Sequence, residues 1–342
     1  MTVVLGADAA VVDDAPRRST ATRVSSSLLR SLWRAVVMVV PVFLLATFAT
    51  FMLQVVSGLT PAAVKLGESA TPELVAQLNE EWGLDRPLVV QFLDWLGSLL
   101  RGDLGTSWFS GFSVSEMLSQ RIAISLSVAG LALVIAMTFG TLLGFLAALH
   151  RGTWIDRGIT AFTTVVSTMP AFVVGVGLIA VFAVVIPVFP AAGYVPFADD
   201  PVGWLMRITL PAIALSLDTV ADIARQLRAG LTTAAEGNHV VGATVRGLSR
   251  RRIFLGHTVR NGVGPAITVL GMRFPALLGG AVVTEAVFGM AGYGRFAADS
   301  ALRGDVPAVQ GVLVVSIVLV LVFNVIVNVV LARLVPASRR GI

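Results

Sequence analysis

Ile208-Thr-Leu-Pro211-Ala-Ile-Ala-Leu-Ser-Leu-Asp218-Thr-Val-Ala-Asp222-Ile-Ala-Arg225-Gln-Leu-Arg228 is the stretch on which the topology of this chain turns. It is long enough to cross a ~30 Å hydrocarbon core, yet it carries Pro211 and four charges. Five other runs need no such argument: about 35–56, 122–149, 159–186, 262–288 and 309–332 are long and mainly apolar. The basic residues between them decide the sixth. The segment before the first run is strongly basic, so it is expected inside. Segment 57–120 has three basic residues and eight acidic ones, which reads as outside. The loop 150–157 is basic and inside, and 187–206, with Asp199 and Asp200, is outside. Segment 225–260 holds seven Arg against one Glu. It falls inside only if 208–228 spans. The tail, with Arg333, Arg339 and Arg340, is then inside as well. The expectation is six spans with both termini cytoplasmic.

Composition agrees. The 342 residues are 56% hydrophobic and 13% charged, about half the charge of a soluble domain, and the mean hydropathy is +0.87. A cytosolic enzyme is thereby set aside. The runs do not alternate apolar and polar residues, which argues against a β-barrel. There is no cysteine, so no disulfide, thiol nucleophile or thiolate metal site is expected, and the three His are too scattered for a metal centre. Nucleic-acid binding is not expected, because no folded domain outside the membrane could present the 24 Arg.

The first run is longer than the apolar core of a signal peptide and no small-x-small site closely follows it, so it reads as an uncleaved span. Residues 1–32, rich in Ser, Thr and Arg, read as a disordered cytoplasmic extension, with the membrane-spanning body over 33–333 and a tail at 334–342. In the outside segment, Thr71-Pro72-Glu73 has the order of N-cap, N1 proline and first-turn acid. Leu74, Leu78 and Trp82 follow at helical spacing and Gly83 can end the helix. A second helix is predicted from Pro87 to Leu100, followed by a turn at Arg101-Gly102-Asp103-Leu104-Gly105. This segment serves either as a small cap over the spans or as a docking surface.

Segment 229–261 is the informative one. A helix is predicted over 237–246, broken at Gly247 where a positive φ costs nothing. Ser249 can cap a second helix over 250–260. The plainest reading of so basic a loop is a surface resting on anionic lipid.

Of the charged residues within the spans, Asp218, Asp222, Arg273 and Glu285 are the candidates for a functional or pathway role. A lone charge in hydrocarbon costs ~2.5–3.5 kcal/mol on insertion scales, so pairing or a cavity is expected. Counting ~1.5 Å per residue from the outer boundary puts Asp222 at about 20 Å and Arg273 at about 24 Å depth. That favours an Asp222–Arg273 pair over Asp218–Arg273. The pair can fasten two spans or line a substrate path. In a channel or secondary transporter the four would form a relay, but no internal repeat supports one. A membrane-embedded enzyme is disfavoured, since no Ser/His pair or His-Glu-x-x-His cluster lies in a span.

Helix–Gly–helix between the last three spans resembles the cytoplasmic coupling loop of ATP-binding-cassette importer permeases. Their signature is Glu-Ala-Ala, three residues, Gly, then a proline-ended motif. Gly247 matches the glycine, Ala243 the second alanine and Pro265 the proline, whereas Val241 and Gly242 replace the Glu and the first Ala. The chain is more similar to the dipeptide/oligopeptide/nickel branch, on four stretches: 71–87, 101–107, Arg246-Gly247-Leu248-Ser249 with Arg260-Asn261, and 279–288 with Gly292-Tyr293-Gly294-Arg295. The resemblance implies an all-α polytopic membrane protein with the type I importer permease fold, acting as the first permease of a pair. It implies a second permease, two ATPases that bind ATP and Mg, and an extracytoplasmic binding protein. It also implies that Ala243, Arg246, Gly247, Leu248, Ser249, Arg250, Arg251 and Arg252 meet an ATPase, the arginines facing its carboxylates. Peptide is the substrate it suggests first; a nickel chelate, glutathione or an opine is the alternative. The chain has no Gly-x-x-x-x-Gly-Lys-Ser/Thr loop, so neither ATP hydrolysis nor a cofactor of its own is expected.

Overall fold

The structure is a computed structural model and describes residues 20–56, 58 and 60–334. The expected extension before residue 20 and the tail from residue 335 lie outside the described residues. The chain divides after Phe48, and the packing described below belongs to the second unit.

Helix α1 runs Thr20–Val56. It therefore begins inside the stretch expected to be disordered. No Gly or Pro stands between Thr20 and Pro41 to stop the apolar helix from propagating backwards. Three short helices follow: α2 Pro61–Leu66, α3 Pro72–Glu81 and α4 Leu88–Leu100. Thr71 caps α3 as its sequence predicts, its Oγ1 accepting from Leu74 N at 3.3 Å. The long α5, Val114–Leu149, starts before the expected boundary at 122.

The expected third span, 159–186, is not one rod. It divides into α6, Trp154–Thr168, and α7, Ala171–Ile179, which continues as a π-helical turn to Val185. The two pieces meet at 98°. Pro170 has no N–H to give, and its ring pushes Met169 out of the helical region, to φ −89°, ψ 121°. Helix α8 then runs Pro201–Ala235, through the whole of the charged stretch. Next come α9, Asn238–Val245, α10, Arg250–Ile253, α11, Arg260–Gly262, and α12, Gly264–Val287. Helices α13, Tyr293–Arg303, and α14, Val306–Leu334, complete the described chain. No strand occurs among the described residues; one isolated bridge joins Thr106 and Ser113.

Among the described residues, five helices are long and apolar enough to cross a membrane, and the bent pair makes a sixth if it counts as one span. The polar α8 is the centre. It packs on α5, α6, α7 and α12, and 56% of its apolar window is buried, against 11% for α14. That position is why its charges are tolerable: they meet partners on neighbouring helices, Arg273 on α12 and Asp156 on α6. Its approach to α5 is set by small residues. Ala132, Ala136, Gly140, Gly144 and Ala147 form a buried stripe at one-turn spacing on α5. A Cβ at Gly140 would stand 2.8 Å from Ile223 Cβ. Lipid gives no hydrophobic drive between helices, so close packing of this kind carries the association.

Candidate functional site

The basic segment begins with α9 and ends it as a Schellman turn. Leu248 N donates to Ala243 O at 3.2 Å and Gly247 N to Thr244 O at 2.9 Å. This double closure needs a left-handed residue, and Gly247 has φ +74°. Nothing lies within 4 Å of a Cβ built there, so the glycine is required by conformation rather than by space. Ala243 is fully buried against the body. Val241 and Val245, one turn apart, are exposed at 58% and 82%, and Arg246 is exposed beside them. Leu248 is half-buried, and Ser249, Arg251 and Arg252 are exposed. The side chain of Arg250 lies outside the described residues.

The second helix expected over 250–260 is present and runs two residues further. Residues 250–262 form a continuous helical run, α10 and α11 joined by a π-helical stretch at Phe254–Val259. Only Val263, itself helical at φ −77°, ψ −19°, separates it from α12. The second half of the segment is thus a mechanical extension of α12. Its inner end is held against α8 by two glycines: a Cβ at Gly230 would fall 2.2 Å from Gly262 O. The loop 150–157 is tied to the same end of α8. Asp156, buried, accepts from Arg228 Nε at 2.5 Å and Nη2 at 2.8 Å. Arg151 pairs with Glu236 at 2.5 Å. These ties escape sequence reading, since 72 residues separate Asp156 from Arg228.

The depth argument expected Arg273 to choose Asp222 over Asp218. The structure corrects this: Arg273 takes both. Its Nη1 meets Asp218 Oδ2 at 2.6 Å, and its Nη2 meets Asp222. Two carboxylates one turn apart on α8 lie within the reach of one guanidinium fork. Asp222 is shared in turn with Arg225, which also donates to Ser167 Oγ at 2.7 Å and Thr163 O at 3.2 Å on α6. The result is a chain of alternating charge, Asp218–Arg273–Asp222–Arg225, with no net charge. It links α12, α8 and the end of α6. Arg225 was missing from the sequence-derived set, although its i,i+3 spacing from Asp222 was a usable signal.

Glu285 does not join this chain. It is 1% exposed and sits at the start of α13, where Arg295 N donates to its Oε2 at 2.8 Å and Ser125 Oγ to its Oε1. Tyr293 N donates to Ser125 Oγ at 2.8 Å. A carboxylate at a helix N-terminus is stabilised by the orphan amides there. Glu285 therefore fastens α12 and α5 to α13, and a four-residue relay does not exist. Tyr293 is buried, which pushes its phenol up to about 12, and its hydroxyl lies 2.6 Å from Ser316 Oγ.

At the same end, Asp305 begins α14 and accepts from Ser107 Oγ at 2.5 Å and Trp108 N at 3.2 Å. Burial raises its carboxyl above the usual range; the bonds to Ser107 and Trp108 oppose this. Trp108 stacks on Trp82 at 5.1 Å and 7°. Lys65 donates to Trp108 O at 2.5 Å and lies 5.2 Å from the Trp82 ring centre. The segment 60–113 is thus a folded layer pinned to the start of α14.

Residues 140–340 match the family described as "Binding-protein-dependent transport system inner membrane component", and residues 28–129 match its N-terminal companion, "Binding-prot-dependent transport system membrane comp, N-term". The chain is 34% identical over 296 residues to a protein of Brucella abortus (strain 2308) whose name places it as a permease in a peptide transport system, covering 86% of this chain and 94% of that one. A Sinorhizobium fredii (strain NBRC 101917 / NGR234) protein named as a peptide ABC transporter permease is 34% identical over 82% of this chain and 89% of its own. The "Glutathione transport system permease protein GsiC" of Salmonella typhimurium is 33% identical, covering 88% and 95%.

Proposed function

The chain belongs to the family of binding-protein-dependent transport system inner membrane components, and from that premise we propose that it forms half of the translocation path of a peptide importer. It is a multi-pass membrane protein and the permease of an ABC importer. In our reading its partners are a second, homologous permease, two ATPases and an extracytoplasmic binding protein that delivers di- or oligopeptides. ATP and Mg belong to the ATPases, and this chain is not catalytic. Both termini and the basic segment face the cytoplasm.

One observation supports the coupling role above the others. A short helix closed at Gly247 presents Val241, Val245 and Arg246 to the outside, and the run that follows it continues into α12. The exposed face suits a cleft on an ATPase, with Arg246, Arg251 and Arg252 toward its carboxylates. Closure of the two ATPases then pushes α9, and the continuous run carries the displacement into α12. Opening after hydrolysis reverses it.

Gly247→Val tests this. The αL conformation costs an L-residue about 1–2 kcal/mol, which at 1.4 kcal/mol per decade is roughly 5–30-fold in the docking-competent turn. Dipeptide uptake and binding-protein-stimulated ATPase activity of the complete transporter should both fall by about that factor, while the complex still assembles. Gly247→Asn, which tolerates αL, should retain most of both. Normal coupled uptake in the valine variant removes the assignment. Glutathione supplied in parallel separates the alternative substrate reading, because uptake of glutathione without dipeptides favours it.

Orientation has its own test. A cysteine replacing exposed Glu80 should react with an impermeant maleimide added to intact cells. One replacing exposed Arg251 should react only after the membrane is opened. Labelling at position 251 from outside overturns the orientation.

A further inference from the structure

The bend between α6 and α7 leaves a cavity of about 370 Å³ beside the charge chain, lined by Met169 and Pro170 at the break, Asp218 on α8, and Arg273 and Ala276 on α12. Its volume lies in the range of small-ligand sites. Non-helical backbone at membrane depth persists where it is buried or lines such a cavity, so the break and the cavity account for each other.

The charge chain has two unlike ends. Arg225 is anchored on Ser167 and Thr163. Asp218, at the other end, receives Arg273 on Oδ2 alone. Its side chain is 47% exposed, the highest of the four. Asp218 therefore offers its second carboxylate oxygen to the cavity. Across from it, Pro170 and Ala171 open α7, and Pro170 O is taken by Val173 N and Val174 N. The cavity thus meets the Asp218 carboxylate on α8 and the opening residues of α7.

We infer that this cavity is a transfer site that takes a peptide by its free α-ammonium, held on Asp218. The inference rests on the peptide reading above and assigns it a chemistry inside the chain. A half-exposed carboxylate already sharing Arg273 holds an ammonium only weakly. A transport path needs that property, since a ligand must leave as readily as it enters.

The test uses the complete transporter in proteoliposomes with saturating binding protein, supplied with trialanine or N-acetyl-trialanine. Asp218→Asn is expected to cut trialanine uptake about tenfold, the size of one charge-assisted hydrogen bond. Uptake of the acetylated peptide, which has no ammonium to lose, should fall much less, so the ratio of trialanine to N-acetyl-trialanine uptake drops about tenfold. Asp218→Glu should restore trialanine uptake. Ala276→Trp, which fills the cavity without touching a charge, should depress both peptides. An Asp218→Asn variant that imports trialanine like its parent overturns the site and leaves peptide import standing. So does an equal fall for both peptides, which marks a structural role only. A parent that imports neither peptide overturns the peptide reading itself, and the site with it.

Discussion

Gly144→Leu is expected to keep α5 and α8 from closing on each other. A Cβ at Gly144 would stand 2.9 Å from Ala224 O, 3.2 Å from Ala224 Cα and 2.9 Å from Leu227 Cβ. Two of those atoms are backbone, so no rotamer change on α8 relieves the contact. The helices must separate, and Gly140, one turn away and just as tight against Ile223, loses its packing as well. Overpacking a well-filled core costs about 1–3 kcal/mol, and here the strain falls on the central pair of the fold. The folded complex recovered from membranes should drop severalfold and its melting temperature in detergent should fall. Gly130→Leu is the control on the same helix. Gly130 is exposed and nothing lies within 4 Å of a Cβ built there, so that variant should melt close to the parent. Equal melting of the two variants would remove the close-packing account.

Arg273→Gln is the second change with a large expected effect. It leaves Asp218 and Asp222 on one face of α8 with Arg225 as their only ion-pair partner among the described residues. An intramembrane charge without a partner costs ~2.5–3.5 kcal/mol on insertion scales. Asp218 then has no ion-pair partner among the described residues but is 47% exposed and screened by solvent, whereas Asp222, 19% exposed, keeps Arg225 alone in a drier place and should still bear the larger cost. A double-mutant cycle of Arg273→Gln with Asp222→Asn should show the double variant less destabilised than the sum, by about 0.5–3 kcal/mol. The cycle with Asp218→Asn should show a smaller coupling. Additive effects in the Asp222 cycle would mean that the pair contributes nothing to the fastening of α8 to α12.

Much of this was legible in the residues. Thr71-Pro72-Glu73 placed the start of α3, because capping is a local matter of a side-chain oxygen and three amides. Gly247 marked the end of α9 for the same reason: the Schellman closure spans six residues and needs nothing from the rest of the chain. The alternation of basic loops picked out 208–228 as helical and membrane-embedded despite Pro211 and four charges. The α8 that results runs through the whole stretch.

What lay beyond the sequence was what depends on side chains meeting from distant positions. Depth counting placed Asp222 and Arg273 near one level and left Asp218 a turn away, but a one-dimensional count cannot see that a guanidinium fork bridges two carboxylates a helical turn apart. Glu285 read like a fourth member of the same set, because sequence shows its charge and not the α13 amides that surround it. Pro170 stood unread inside the expected span 159–186, and its 98° consequence, with the cavity that follows, depends on how α6 and α7 pack on α8 and α12. Local chemistry wrote the elements of this permease, their caps and their order, since those forces act within a turn or two of the chain. Only the tertiary structure decided which charges meet and which glycines touch, because a 2.6 Å ion pair across 55 residues exists only once α8 and α12 lie side by side.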